Sequence, residues 1–161
     1  MKKKVEIVRT FPDSTLKIKT KNVESISESV IKTLDEMVKV AKMADAAGLA
    51  ANQIGISRSL AVVLLENGDF LKMINPVLKE SEGEEVDEEG CLSVPDSVIK
   101  IPRSTRVVVE YLDTDGNIKT FKASGFTARV LQHEIDHLNG LLIFDRLNPQ
   151  ERIKFLREYK K

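Results

Sequence analysis

Apolar residues recur every three or four positions through Ile26, Val30, Leu34, Met37, Val38, Ala41 and Ala44. That spacing puts them in one stripe on a helix that faces a core. Ser25-Ile26-Ser27-Glu28 reads as a capping box, and the helix is expected to run to about Ala46. Before it, Val5 to Val8 reads as a short strand, Phe11-Pro12-Asp13-Ser14 as a turn, and Lys17 to Lys21 as a solvated basic surface. Ser59 to Leu65 has the continuous apolar character of a buried strand. Asn67-Gly68 then turns the chain into a return strand from Phe70 to Ile74, which Asn75-Pro76 ends or bends. Glu80 to Asp87 is acidic without a base and reads as a solvated loop. Arg106 to Leu112 and Ile118 to Ala123 form a hairpin around Asp115-Gly116. A second helix is expected from Gly125 to Asn139, apolar at Phe126, Val130, Leu131, Ile135 and Leu138, with Gly140 as its stop. Leu141 to Phe144 reads as a short strand or extended connection. Asn148 and Pro149 open a last helix through Tyr159, anchored by Ile153 and Leu156.

Composition narrows the class. At 161 residues the chain is expected to form one domain, spanning 1–161, with a real core. Its 25 basic residues match 25 acidic ones, so no global charge draws it to nucleic acid or membrane. The absence of Trp argues against a base-stacking surface. No apolar run reaches transmembrane length, and Met1-Lys2-Lys3-Lys4 leads into a strand-like segment rather than a signal-peptide core. A single cysteine excludes an internal disulfide framework and points to a reducing cytosol.

The second helix carries the chemistry. Gln132-His133-Glu134-Ile135-Asp136-His137 contains H-E-x-x-H. On a helix, His133 and His137 lie one turn apart on one face and can share a metal ion. Glu134 sits beside them as a candidate general base for metal-assisted hydrolysis. The competing reading is a chance match with two satisfied core histidines. Against it, these are the only two histidines in the chain. A third ligand in the metzincin position fails, because Ile143 stands there. Glu151 and Glu158 leave little chain for a thermolysin-like second lobe. Cys91, between Gly90 and Leu92, is the upstream candidate; it is otherwise a small core residue. Cys91, His133 and His137 together make a CysHis₂ set with one coordination position open. The thiolate also suits iron(II). Gln53 has an amide donor suited to an oxyanion, or it simply belongs to a tight connection after Gly48.

Three stretches in this order, Gly48-Leu49-Ala50-Ala51-Asn52-Gln53, Glu89-Gly90-Cys91-Leu92-Ser93 and Gln132 to His137, closely resemble the three motifs of peptide deformylases. The likeness extends to Pro12-Asp13, Ile74-Asn75-Pro76 and the Asp-Gly hairpin. One position departs: Ala46 stands where the family has the first glycine of its first motif. The resemblance implies an α+β fold, with antiparallel β-sheets packed around a central metal-binding helix, plus an N-terminal and a C-terminal helix. It implies removal of the formyl group from N-terminal formylmethionine of new polypeptides near the ribosome, in a bacterial-type cytoplasm. Cys91, His133 and His137 would hold the metal, usually iron(II), with zinc, nickel and cobalt forms also found. Glu134 would be general base and acid, and the Gln53 side chain and Leu92 backbone N–H would hold the oxyanion.

Around that site, Val130 and Phe126 lie three and seven residues before His133 and are candidates for a methionine pocket, or are ordinary core. Arg129 is expected to flank the entrance, and Asp136 to brace the helix by pairing with Arg103. Gly48 and Gly90 are candidates for backbone pairing with an extended substrate. The rival readings are another metallohydrolase, such as an endopeptidase or a different amidase, and a protein with a structural metal. The second would need a closed fourth ligand, and the chain has no second Cys or third His to supply one.

Overall fold

The computed structural model describes residues 5–159; the Met1-Lys2-Lys3-Lys4 run lies outside them. In chain order these residues form α1 (Glu28–Met43), β1 (Gly48–Ala50), β2 (Leu60–Leu64), β3 (Phe70–Glu82), β4 (Glu85–Cys91), β5 (Val94–Arg103), β6 (Arg106–Leu112), β7 (Ile118–Ser124), α2 (Gly125–Leu138) and α3 (Pro149–Tyr159). Short 3₁₀ helices cover Ser14–Lys17, Ala51–Ile54 and Ile143–Arg146. One antiparallel sheet has the order β1-β2-β3-β6-β7, and β4 and β5 form a separate two-stranded sheet. The expected α+β class, with a central helix and a helix toward each end, is therefore what the chain adopts.

The apolar run of β2 has a simple cause: it is buried on both faces. Leu60 and Val62 point into a cluster with Val30, Leu34, Met37 and Ala41 of α1. Ala61 and Val63, on the opposite face, join Ala128, Val130, Leu131 and Ile135 of α2. Alternation along a strand sends neighbours to opposite sides, so an inner strand between two helices reads as uniformly apolar. A third cluster gathers Leu16, Cys91, Val94, Ile101, Leu142, Ile143 and Phe144, with Phe155 and Leu156 of α3 packed on it.

Several boundaries differ from expectation. The α1 cap is Ser27, whose side chain accepts from the Val30 N–H, so Glu28 is already helical and cannot complete a box with Ser25. The helix stops at Met43, because Asp45 takes a left-handed φ of 53° before Ala46. Val5 to Val8 is a turn closed by Val8 N–H to the Val5 carbonyl, with no ladder partner. β3 does not end at Asn75-Pro76 but bends there, with a register shift between Ile74 and Val77. Asn75 holds the bend through side-chain bonds to the Val23 N–H and carbonyl.

The acidic stretch is the largest correction. Glu80 to Glu82 complete β3, and β4 begins at Glu85 after Gly83. Its partner, β5, runs from Val94 to Arg103. These acids are exposed, as expected of solvated residues, but their backbone is paired. Leu141 to Phe144 leads into a 3₁₀ turn rather than a strand. The stop at Gly140 is as expected: φ is 77°, and a Cβ there would stand 2.7 Å from the Lys17 carbonyl oxygen. No helix among the described residues is long and apolar enough to cross a membrane.

Candidate metal centre

The site forms where α2 meets the end of β4. His133 and His137, four residues apart on α2, bring their Nε2 atoms to 3.1 Å. Cys91 closes β4 and places its Sγ 3.2 Å from His137 Nε2. One donor atom from each of the three residues lies within 4.8 Å of the other two. Bond lengths near 2.3 Å to sulfur and 2.0–2.1 Å to nitrogen give tetrahedral donor separations of about 3.3–3.6 Å. The His133–His137 and His137–Cys91 separations are within a few tenths of an ångström of that, and all three donors lie within 4.8 Å, so they converge closely enough to hold one small divalent ion.

Charge points the same way. Burial pushes the Cys91 thiol up, but His137 and His133 outweigh it and hold the group well below its ordinary value. Burial works against an imidazolium at His133, yet Cys91, Glu134 and Glu89 raise it to about 10. The groups around this point favour positive charge where Cys91, His133 and His137 converge. A divalent cation satisfies the same field more completely.

Behind the donors stands a buried ionic network. Glu89 accepts from His133 Nδ1 at 2.8 Å, which leaves Nε2 aimed at the site. The same carboxylate accepts from Arg103 at 2.7 and 3.2 Å and from Arg129 at 3.1 Å. Burial would raise the Glu89 carboxyl; His133 and Arg103 instead hold it at about 2. Asp136 pairs with Arg103 at 2.5 Å, as expected, and also with Arg146 at 2.8 and 2.5 Å. Asn52 caps the functional end of α2 by donating to the His137 carbonyl at 2.5 Å. Glu89 is the functional residue that sequence reasoning passed over. Its signal was faint: it opened the motif with Cys91 but carried no role of its own, standing just past the acidic run Glu80 to Asp87.

A cleft of about 370 Å³ opens onto His133. Gly48, Gln53, Gly90, Cys91, Leu92, Phe126, Val130 and Glu134 all line it, while His137 is buried beneath. Gly48 leaves room that a side chain would take from the site, since a Cβ would stand 2.6 Å from Glu134 Oε2 and 2.9 Å from Val130 Cγ1 and push those side chains aside. Gln53 is held by its own Oε1, which accepts from the Ala50 N–H at 3.0 Å. Its Nε2 therefore turns toward the Ser93 hydroxyl, at 3.1 Å, and Cys91 Sγ, at 3.9 Å. Phe126 is 71% exposed, so it belongs to the rim rather than to a closed wall. Arg129 departs from expectation: it lines the cleft, but its guanidinium is buried and bonded inward rather than flanking an entrance. Ala46 causes no strain, since φ is not positive there and its N–H donates to the Ala41 carbonyl at 2.9 Å.

Known proteins share this arrangement. The family model for polypeptide deformylase matches residues 5–153. A peptide deformylase from Syntrophobacter fumaroxidans is 45% identical over 156 residues, covering 94% of this chain and 92% of that protein. One from Thermotoga maritima is 42% identical over 147 residues, covering 91% and 89%. The crystal structure of peptide deformylase from Thermus thermophilus superposes with a TM-score of 0.90 at 37% identity, over 95% of this chain and 92% of that one. Peptide deformylase from Ehrlichia chaffeensis in complex with actinonin gives 0.88 at 34% identity, over 95% and 94%. Sequence and fold agree over nearly the whole length, and the chain belongs to the peptide deformylase family.

Proposed function

We propose that this protein removes the formyl group from the N-terminal formylmethionine of new polypeptides. The observation that carries the reading is the CysHis₂ donor set opening, beside Glu134, onto a cleft lined by backbone glycines. Cys91, His133 and His137 hold the ion. When bound, it polarises the formyl oxygen and makes a water at the site acidic enough to attack. Glu134, 3% exposed, takes a proton from that water as the water oxygen bonds to the formyl carbon. It returns a proton to the amine nitrogen as the C–N bond breaks, so water and the formamide give formate and a free amine. Negative charge gathers on the formyl oxygen, and Gln53 Nε2 with the Leu92 backbone N–H stabilises it. The orientation of the Gln53 amide, with its oxygen engaged by Ala50, supports a donor role.

Val130 and the rim residue Phe126 offer apolar surface to the methionine side chain. Gly48 and Gly90 leave backbone groups open to an extended peptide, which would add as a strand. Iron(II) is the metal we favour, with zinc, nickel or cobalt able to substitute; the mixed thiolate and imidazole donors support this. The substrates are nascent chains near the ribosome in a bacterial-type cytoplasm, and the whole chain acts as one catalytic unit. By extension from the Ehrlichia relative, actinonin binds in the same cleft. The test is formate release from a formyl-Met tripeptide by protein loaded anaerobically with iron(II). Release that disappears in Glu134→Ala, with little action on the acetyl-Met peptide, is expected. Equal cleavage of both peptides would move the assignment to a general amidase.

A further inference from the structure

The metal centre is divided between two elements, α2 and β4, whose own apolar residues pack into separate clusters. Both histidines and Glu134 stand on α2, which is packed into the cluster under the five-stranded sheet. Cys91 stands on the two-stranded sheet, whose apolar residues pack against Leu16, Leu142, Ile143 and Phe144. Among the described residues, no member of β4 or β5 belongs to the α2 cluster, and no member of α2 belongs to the β4–β5 cluster. At the inner end Leu92, next to Cys91, packs on the cluster between α1 and the five-stranded sheet, and the rest of β4 is tied to α2 by polar bonds. Arg103, through Glu89 and Asp136, ties the inner end beside the metal. Arg129, one turn before His133, ties the outer end. Its Nη2 donates to the Glu85 carbonyl at 2.7 Å, and its Nη1 to Glu89 Oε2 at 3.1 Å and the Ile101 carbonyl at 3.2 Å.

We propose that Arg129 is a positioning residue that fixes the outer half of β4 against α2 and so sets the width of the cleft for the peptide beyond its first residue. This rests on the deformylase reading, and on the strand-pairing mode within it. Three features single out this side chain. It is 8% exposed, so its bonds are shielded from water. It spans both strands, reaching β4 at Glu85 and Glu89 and β5 at Ile101. And the segment it holds, Glu85 to Glu89, includes Asp87 and Glu88, which line the cleft. Two of the acceptors are main-chain carbonyls, so the bonds fix backbone position directly. A flat guanidinium with several donors can hold three acceptors at once, whereas an ammonium group is a single point charge.

The test compares wild type with Arg129→Met and, in case that variant folds poorly, Arg129→Lys, each loaded with one metal equivalent. Hydrogen exchange is read in fragments covering residues 85–91 and 126–138. Kinetics are read with formyl-Met amide and a formyl-Met tripeptide. Expected in either variant is faster exchange in 85–91 without matching change in 126–138. The advantage of the tripeptide over the amide in kcat/KM should fall at least fivefold, mainly through KM. Unchanged exchange in 85–91 overturns the proposal. So does exchange that quickens everywhere while the tripeptide keeps its advantage, since that is the mark of a merely structural residue. If wild type cleaves neither substrate, the deformylase reading fails, and the exchange comparison alone decides whether Arg129 holds β4.

Discussion

Glu89 is where stability and metal binding meet, and Glu89→Gln separates the account from a simpler one in which only the three donors matter. Its carboxylate is buried and serves His133, Arg103 and Arg129 together. The amide keeps the shape but removes the charge, leaving two guanidinium groups that are 5% and 8% exposed with less to balance them. Arg103 retains Asp136, and Arg129 retains two carbonyls. Breaking a buried ion pair from one side costs about 3–5 kcal/mol, and the lower end applies because an acceptor oxygen survives. At about 2–4 °C per kcal/mol for a chain of this size, about 3 kcal/mol lowers the melting temperature by about 6–12 °C. The imidazole of His133 also loses the charge of the partner that orients it, which costs about 10–100-fold in metal affinity. Thermal unfolding by circular dichroism of the metal-free protein measures the first effect. Competition against a calibrated chelator measures the second. A melting temperature within about 2 °C of wild type, with affinity within about twofold, would refute the reasoning about this network.

Gly48→Ala is expected to leave the fold standing but push Glu134 or Val130 aside, given the 2.6 and 2.9 Å approaches of the added carbon. A displacement of about 1 Å at a reacting group lowers kcat/KM by about 100-fold, which steady-state kinetics would show. If Gln53 donates to the oxyanion as proposed, Gln53→Ala should lower kcat by about 10²–10³-fold with little change in metal content, read by turnover and metal analysis on the same sample. Cys91→Ala removes a donor and the anion that helps hold a cation, so bound metal after dialysis should fall well below one per chain. Actinonin should raise the melting temperature of the metal-loaded wild type, by about 2.7 kcal/mol of added stability at 100 times its Kd.

Much of this was legible because a few signals were local. The four-residue spacing of His133 and His137 requires only a helix, and the apolar positions of α2 supply it. The hairpins at Asn67-Gly68 and Asp115-Gly116 announce themselves through turn residues, and both formed. β4 was hidden because its first four side chains all face water, and β5 because its alternation is short, with Ile99 and Ile101 turned inward between exposed Val98, Lys100 and Pro102. Backbone pairing alone makes β4 a strand. Glu89 was hidden for the same reason: seven acids in ten residues look alike until the fold buries one. The inward turn of Arg129 depends on carbonyls at Glu85 and Ile101, far apart in sequence, which no local pattern could reveal. The start of α1 slipped by two residues because Ser25 and Ser27 are equally good caps by composition, and only the Val30 N–H chooses between them. Its end slipped by three because of the left-handed turn at Asp45.

The most direct test is a titration of metal-free protein with iron(II) under anaerobic conditions, with formate release from a formyl-Met tripeptide read at each addition. Activity near zero at the start, rising linearly and levelling at one ion per chain, is the expected result. The same titration of Cys91→Ala should remain near the baseline. Formate release by the metal-free protein, or full activity in Cys91→Ala, would contradict a deformylase centred on Cys91, His133 and His137.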